Sequence, residues 1–174
     1  MNELPMVKFL QIAAPVADAF AGTKTYPPVA ISNYQDALFL VNLGVNTGGT
    51  GRTKIYAFAH PFLVRGNPNT GRVAVGYWAR IGTGQNPDTE GTWTYYAAGA
   101  EFTPTAANSA TTQWLIRITN IDAQVACPTC RGVGLELVEA VDDPIVGSVT
   151  AILSPVYSKP ALFNGFLSGV GSAV

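Results

Sequence analysis

Cys127-Pro128-Thr129-Cys130 is the spacing in this chain best suited to chemistry. A C-x-x-C pair can be half of a zinc site, a redox dithiol or a small disulfide loop. Tetrahedral zinc needs four ligands, and the sequence holds two cysteines and one histidine, His60. Only a site shared across a symmetry axis could complete the set. A redox dithiol sits at a helix start in a thioredoxin-like unit, whereas this pair follows a strand-patterned segment. The expected structure is a tight turn between Ile121 and Val133 with thiols that are free or paired locally.

The other polar candidates are weaker. His60 precedes a proline at a strand end, and no Ser–His–Asp or Cys–His set can be assembled around it. Glu136 and Glu139, three apart on a strand, point to opposite faces. Asp88 and Glu90 share a loop able to hold a cation such as Ca²⁺, but a solvated loop is the better explanation of them; Asp142 and Asp143 precede a strand-breaking proline. Gly48–Thr53 resembles a phosphate-binding loop only loosely: Arg52 stands where lysine is required, Asn46 where the first glycine is required, and a strand rather than a helix follows. No catalytic, cofactor or metal constellation emerges, and the chain is expected not to be an enzyme.

The elements that would position any site are strands. Tyr34–Pro61 (YQDALFLVNLGVNTGGTGRTKIYAFAHP) organises the chain: two apolar segments flank a Gly/Asn/Thr-rich reversal, the signature of a β-hairpin. Arg72–Ile81 alternates, with Val73, Val75, Tyr77, Ala79 and Ile81 on one side and Trp78 on the other. Thr92–Ala97, Gln113–Thr119, Val133–Val141 and Ile145–Tyr157 continue the pattern, and Trp114 falls in register with Ile116 and Ile118 on a core face. The predicted fold class is all-β, a two-sheet antiparallel sandwich of jelly-roll or immunoglobulin-like topology without a helix, spanning residues 34–157. Pro5, Pro15, Pro27 and Pro28 exclude a long helix or a central strand from residues 1–33, which read as an N-terminal arm; residues 158–174 (SKPALFNGFLSGVGSAV) read as a C-terminal arm.

Composition narrows the function. In 174 residues, 48% are hydrophobic but only 12% charged, against about 25% charged in ordinary soluble domains. Interfaces are depleted in charge, so the sparse charge suggests an exterior covered by neighbours. The net charge is −1 and the ten Lys and Arg are scattered; the basic footprint that nucleic acid requires is missing. No apolar run reaches the ~20 residues that span a bilayer, so no membrane partner is expected. The N-terminus imitates a signal peptide, but Glu3, Gln11 and Pro15 break the pattern. Partner-binding anchors are expected at Phe9, Leu10 and Phe20 on the first arm, at Leu162, Phe163 and Phe166 on the second, and at Trp78 on the body.

Three segments carry a resemblance: Ile31–Leu43 (ISNYQDALFLVNL), GTGRTKIYAFA, and Gly134–Tyr157 (GLELVEAVDDPIVGSVTAILSPVY). Over residues 31–157 the chain resembles small tailed-bacteriophage proteins taken to be capsid decoration, or cement, proteins. The resemblance implies a non-enzymatic β-sandwich on the capsid outer surface of the virion. Its partners would be the major capsid protein and copies of itself as a homodimer or homotrimer, with the arms reaching over neighbours. Two other readings stand beside it: another virion component (tail-tube, connector or fibre-base protein), and a carbohydrate-binding module using Trp78 and Trp93.

Overall fold

A computed structural model describes residues 7–46, 52–63, 70–83, 91–104, 112–141 and 145–155. Within them, alternating burial turns each apolar run into a strand with one face inward. Tyr34–Asn46 (β4) buries Ala37, Phe39, Val41 and Leu43; Thr112–Thr119 (β9) buries Trp114, Ile116 and Ile118; Ile145–Pro155 (β11) buries Val149, Ala151 and Leu153. With Lys8–Val16 (β1), Tyr77–Thr83 (β7) and Thr94–Tyr96 (β8) they form a six-stranded antiparallel sheet in the order β1-β11-β4-β9-β7-β8.

The second sheet runs β2-β10-β5-β6. It comprises Thr23–Thr25 (β2), Gly132–Val141 (β10), Arg52–His60 (β5) and Val73–Ala74 (β6), with Val29–Ala30 (β3) also on β10. Its inward residues, among them Ile55, Ala57, Val133, Leu135 and Leu137, close the core against the first sheet. The predicted all-β sandwich is therefore observed. Tyr77 pins the layers together: from β7 its hydroxyl donates to the Ile55 carbonyl on β5 at 2.8 Å and to that of Ala100 at 3.1 Å, and burial raises its phenol pKa.

Four expectations need correction. Tyr34–Pro61 is not a hairpin, because β4 pairs with β11 and β9 in one sheet while β5 pairs with β10 and β6 in the other. A strand alternating in this way buries its face equally well in either sheet, and its distant partners decide which; the turn residues 47–51 lie outside the described residues. Arg72–Ile81 is likewise two strands, with the chain crossing from β6 to β7 at Val75 and Gly76. A Cβ on Gly76 would run into the Tyr95 hydroxyl, so glycine allows the crossing to pass beneath that ring.

A helix, Asn120–Ala126 (α1), appears where none was expected. Its start is fixed by Thr119, whose Oγ1 accepts from the Asp122 N–H at 3.0 Å and whose hydroxyl donates to Asp122 Oδ2 at 2.6 Å. That Thr-x-x-Asp box was the readable signal, so Cys127 follows a helix rather than a strand. Finally, residues 7–33 are not an arm. They supply β1, β2 and β3 to both sheets, and Phe20 is only 2% exposed, its ring stacked on Trp114 at a centroid distance of 6.0 Å. Pro15 is tolerated because β1 is an edge strand with irregular pairing beyond Gln11.

His60 ends β5, buried. Burial, and then the nearby Arg72 charge, push its pKa from 6.5 down to about 4. Between those values the unfolded chain binds a proton that the folded chain refuses, so this contribution is complete above pH 6.5 and is lost as pH falls towards 4. Each pKa unit is ~1.4 kcal/mol. Chemical denaturation should show that, across that window, the wild type loses roughly 2–3 kcal/mol more stability than His60→Gln. Parallel curves for the two proteins would refute it.

Candidate functional site

The chemistry-bearing residues are tied into the fold. Cys127 and Cys130 are buried and free, in a turn closed by the Cys130 N–H on the Cys127 carbonyl at 2.8 Å. The Cys130 thiol donates to the Gly132 carbonyl at 3.1 Å, and burial pushes its pKa up, the setting of an unreactive cysteine. Glu136 Oε2 holds Arg72 at 2.8 Å and the Thr25 hydroxyl at 2.9 Å, and Glu139 accepts from the Gly22 N–H. Glu101 pairs with Lys54 at 2.9 Å and with the Tyr56 hydroxyl, which hold its carboxyl below the usual range. No three metal-ligating side chains converge among the described residues. The Asp88/Glu90 and Asp142/Asp143 pairs lie outside the described residues.

The feature that stands out is a face. Paired residues on neighbouring strands project to the same side of a sheet. On the outer side of the six-stranded sheet the register aligns Phe9 with Ile152, Ile152 with Leu38, Leu38 with Arg117, Arg117 with Trp78, and Trp78 with Tyr95. One transverse row thus crosses all six strands. At ~4.8 Å per strand it is about 24 Å long. The next row adds Leu40 and Leu115, beside Thr150 and Arg80.

A sheet facing water carries polar side chains outward; here the polar rows Ser154–Asp36–Thr119 and Ser148–Asn42–Gln113 flank rows that carry apolar and aromatic side chains. Phe9 is 68% exposed, Trp78 38% and Tyr95 48%, while Ile152 and Leu38 are half-buried between them. The Trp78 and Tyr95 rings lie 5.2 Å apart, tilted by 58°. Charge on the face is neutralised or laid flat. The Arg117 Nε and Nη2 both donate to Asp36 Oδ2, at 2.8 and 2.6 Å, and the Arg80 guanidinium lies over Trp93, 4.7 Å from the ring centroid. Flat aromatics with tethered arginines are the composition of protein–protein hot spots.

Of the predicted anchors, Phe9 and Trp78 meet on this face. Leu10 does not: it pairs with core-facing Ala151 and projects to the other side of β1. Phe20 is in the core. Leu162, Phe163 and Phe166 lie outside the described residues. Sequence reasoning missed Leu38, Leu40, Leu115 and Ile152. The signal was unbroken apolar runs, Ala37–Val41 for Leu38 and Leu40, Trp114–Ile116 for Leu115 and Ala151–Leu153 for Ile152, which mark strands apolar on both faces. A smaller apolar pair, Ile121 and Val125, is exposed one turn apart on α1.

No protein-family model matches the chain, and no curated protein matches it. Among solved structures, the chain is similar to the crystal structure of the SPBc2 prophage-derived protein YomS. The likeness covers 88% of this chain and 96% of that one, at 12% sequence identity and a TM-score of 0.44. At those values it carries no functional argument.

Proposed function

We propose that the chain is a structural virion protein, a decoration protein that docks on the outer surface of a capsid shell and bridges adjacent capsomers. Its contacts would be the major capsid protein and further copies of itself. One observation supports the reading: the row from Phe9 to Tyr95 crosses the exterior of all six strands of one sheet. Exposed aromatic side chains aligned across a sheet fit an interaction site, and the low overall charge fits an exterior covered in its working state.

The test is reconstitution. Purified chain is added to heads assembled without it, and the decorated particles are imaged. The expected result is saturable occupancy in register with the capsomers, the six-stranded sheet turned to the shell. Absence of binding at micromolar concentration refutes the reading, and occupancy at a single vertex or along the tail would make it a connector or tail component instead. The Trp78–Tyr95 pair favours a second reading, carbohydrate binding through stacked rings; a glycan array without hits removes it.

A further inference from the structure

Among the described residues, one sheet edge is unlike the others. β8 has three residues, β2 three and β6 two, too short to invite pairing with another chain. β1 ends the six-stranded sheet with nine, and no described strand pairs with its outer side. Phe9, Leu10 and Val16 are all exposed along it. Leu10 also lines a groove of about 370 Å³ with Ile12, Pro27, Pro28, Val29 and Leu63, side chains from both layers and none of them charged.

We propose that β1 pairs antiparallel with β1 of a second copy, across a two-fold axis that passes through Ala13 perpendicular to the sheet. Two properties of the strand are symmetric about that residue. Leu10, Ala13 and Val16 pair with Ala151, Val149 and Gly147, alternate positions of β11, so all three turn to the core side. Each interval between them holds one residue more than a regular strand, which is where the register shifts. Turned end for end, the strand sets Leu10 against the partner's Val16, Ala13 against Ala13, and irregularity against irregularity. Opposed side chains on one face cover each other, so the Leu10–Val16 pairs close the mouths of the two grooves.

Charge selects the same register. Between Val7 and Thr23 the chain carries two charges, Lys8 and Asp18. Both are exposed, and neither is in an ion pair among the described residues. They lie five residues either side of Ala13, so the two-fold brings Lys8 beside the partner's Asp18, and does so twice. Strands running the same way in register would set Lys8 beside Lys8, which is unfavourable. Pro15 has no N–H to donate, so the ladder between copies is short and side chains carry much of the contact. Such an isologous contact closes at two chains. It turns both docking faces to one side and supplies the contact between copies in the proposed function. The pairing needs no shell, and its failure would leave that function standing.

Sedimentation velocity of the full chain provides the test, with dimer expected at roughly 100 μM chain. Lys8→Asp sets like charges together at both ends and should raise the dimer dissociation constant about tenfold or more. Asp18→Lys should do the same. The double variant Lys8→Asp/Asp18→Lys should return it to within about threefold of the wild type, which a folding defect would not do. Amide exchange over residues 9–17 should slow as wild-type concentration rises. A monomer throughout would overturn the proposal, as would a dimer indifferent to both single variants. Exchange over residues 9–17 that slows only when capsid shells are added would overturn it in favour of a strand from the shell protein.

Discussion

Phe20→Ala is expected to lower the unfolding free energy by about 3–5 kcal/mol, the range for deleting a fully buried aromatic side chain. The ring is 2% exposed, stacked on Trp114, and seated where the absence of a side chain at Gly147 leaves room; a Cβ there would stand 2.7 Å from Phe20 Cζ. Removing it opens a cavity between β11 and β9 that these rigid strands cannot close. Urea denaturation checks the value, and the melting temperature should fall on the order of 10 °C. Phe20→Leu keeps most of the volume and should cost about 1–1.5 kcal/mol. An alanine variant as stable as the wild type would return Phe20 to the exposed arm that the sequence suggested.

The second large effect falls on attachment. Phe9→Asp and Trp78→Asp each place an unpaired carboxylate on the aromatic row, and truncating a hot-spot side chain costs 2 kcal/mol or more. Each variant should therefore bind a capsid shell roughly 30-fold more weakly, measured by co-sedimentation with heads. Their own stability should change by less than about 1 kcal/mol, since both side chains are substantially exposed. The two residues are four strands apart, about 19 Å, far enough for the losses to multiply in the double variant. Ile121→Asp, on α1, serves as the control and should bind as the wild type. Equal binding by all of these variants would remove the face from the docking surface.

The sequence on its own determined what is periodic and local. Alternation over Gln113–Thr119 put Trp114, Ile116 and Ile118 on one buried face, and Trp78 on the face opposite Val75 and Tyr77, because successive side chains of a strand point to opposite sides whichever sheet it joins. Pro15, Pro27 and Pro28 kept a central strand out of residues 7–33, where β1 lies at an edge. Even α1, which breaks the alternation, is announced by Thr119 and Asp122.

Only the tertiary structure decided which strands lie side by side. β4 meets β11 across a hundred residues of chain, as in the pair Leu40 and Thr150, and β2 meets β10 through Thr25 and Glu136. Such pairings depend on the whole arrangement of buried faces and leave no mark in any short window. The apparent hairpin at Tyr34–Pro61 divided between two layers for this reason, and the supposed first arm folded into both. The docking face has the same origin: Phe9, Leu38, Ile152, Trp78 and Tyr95 come from five separate strands, and strand order alone brings them into one row.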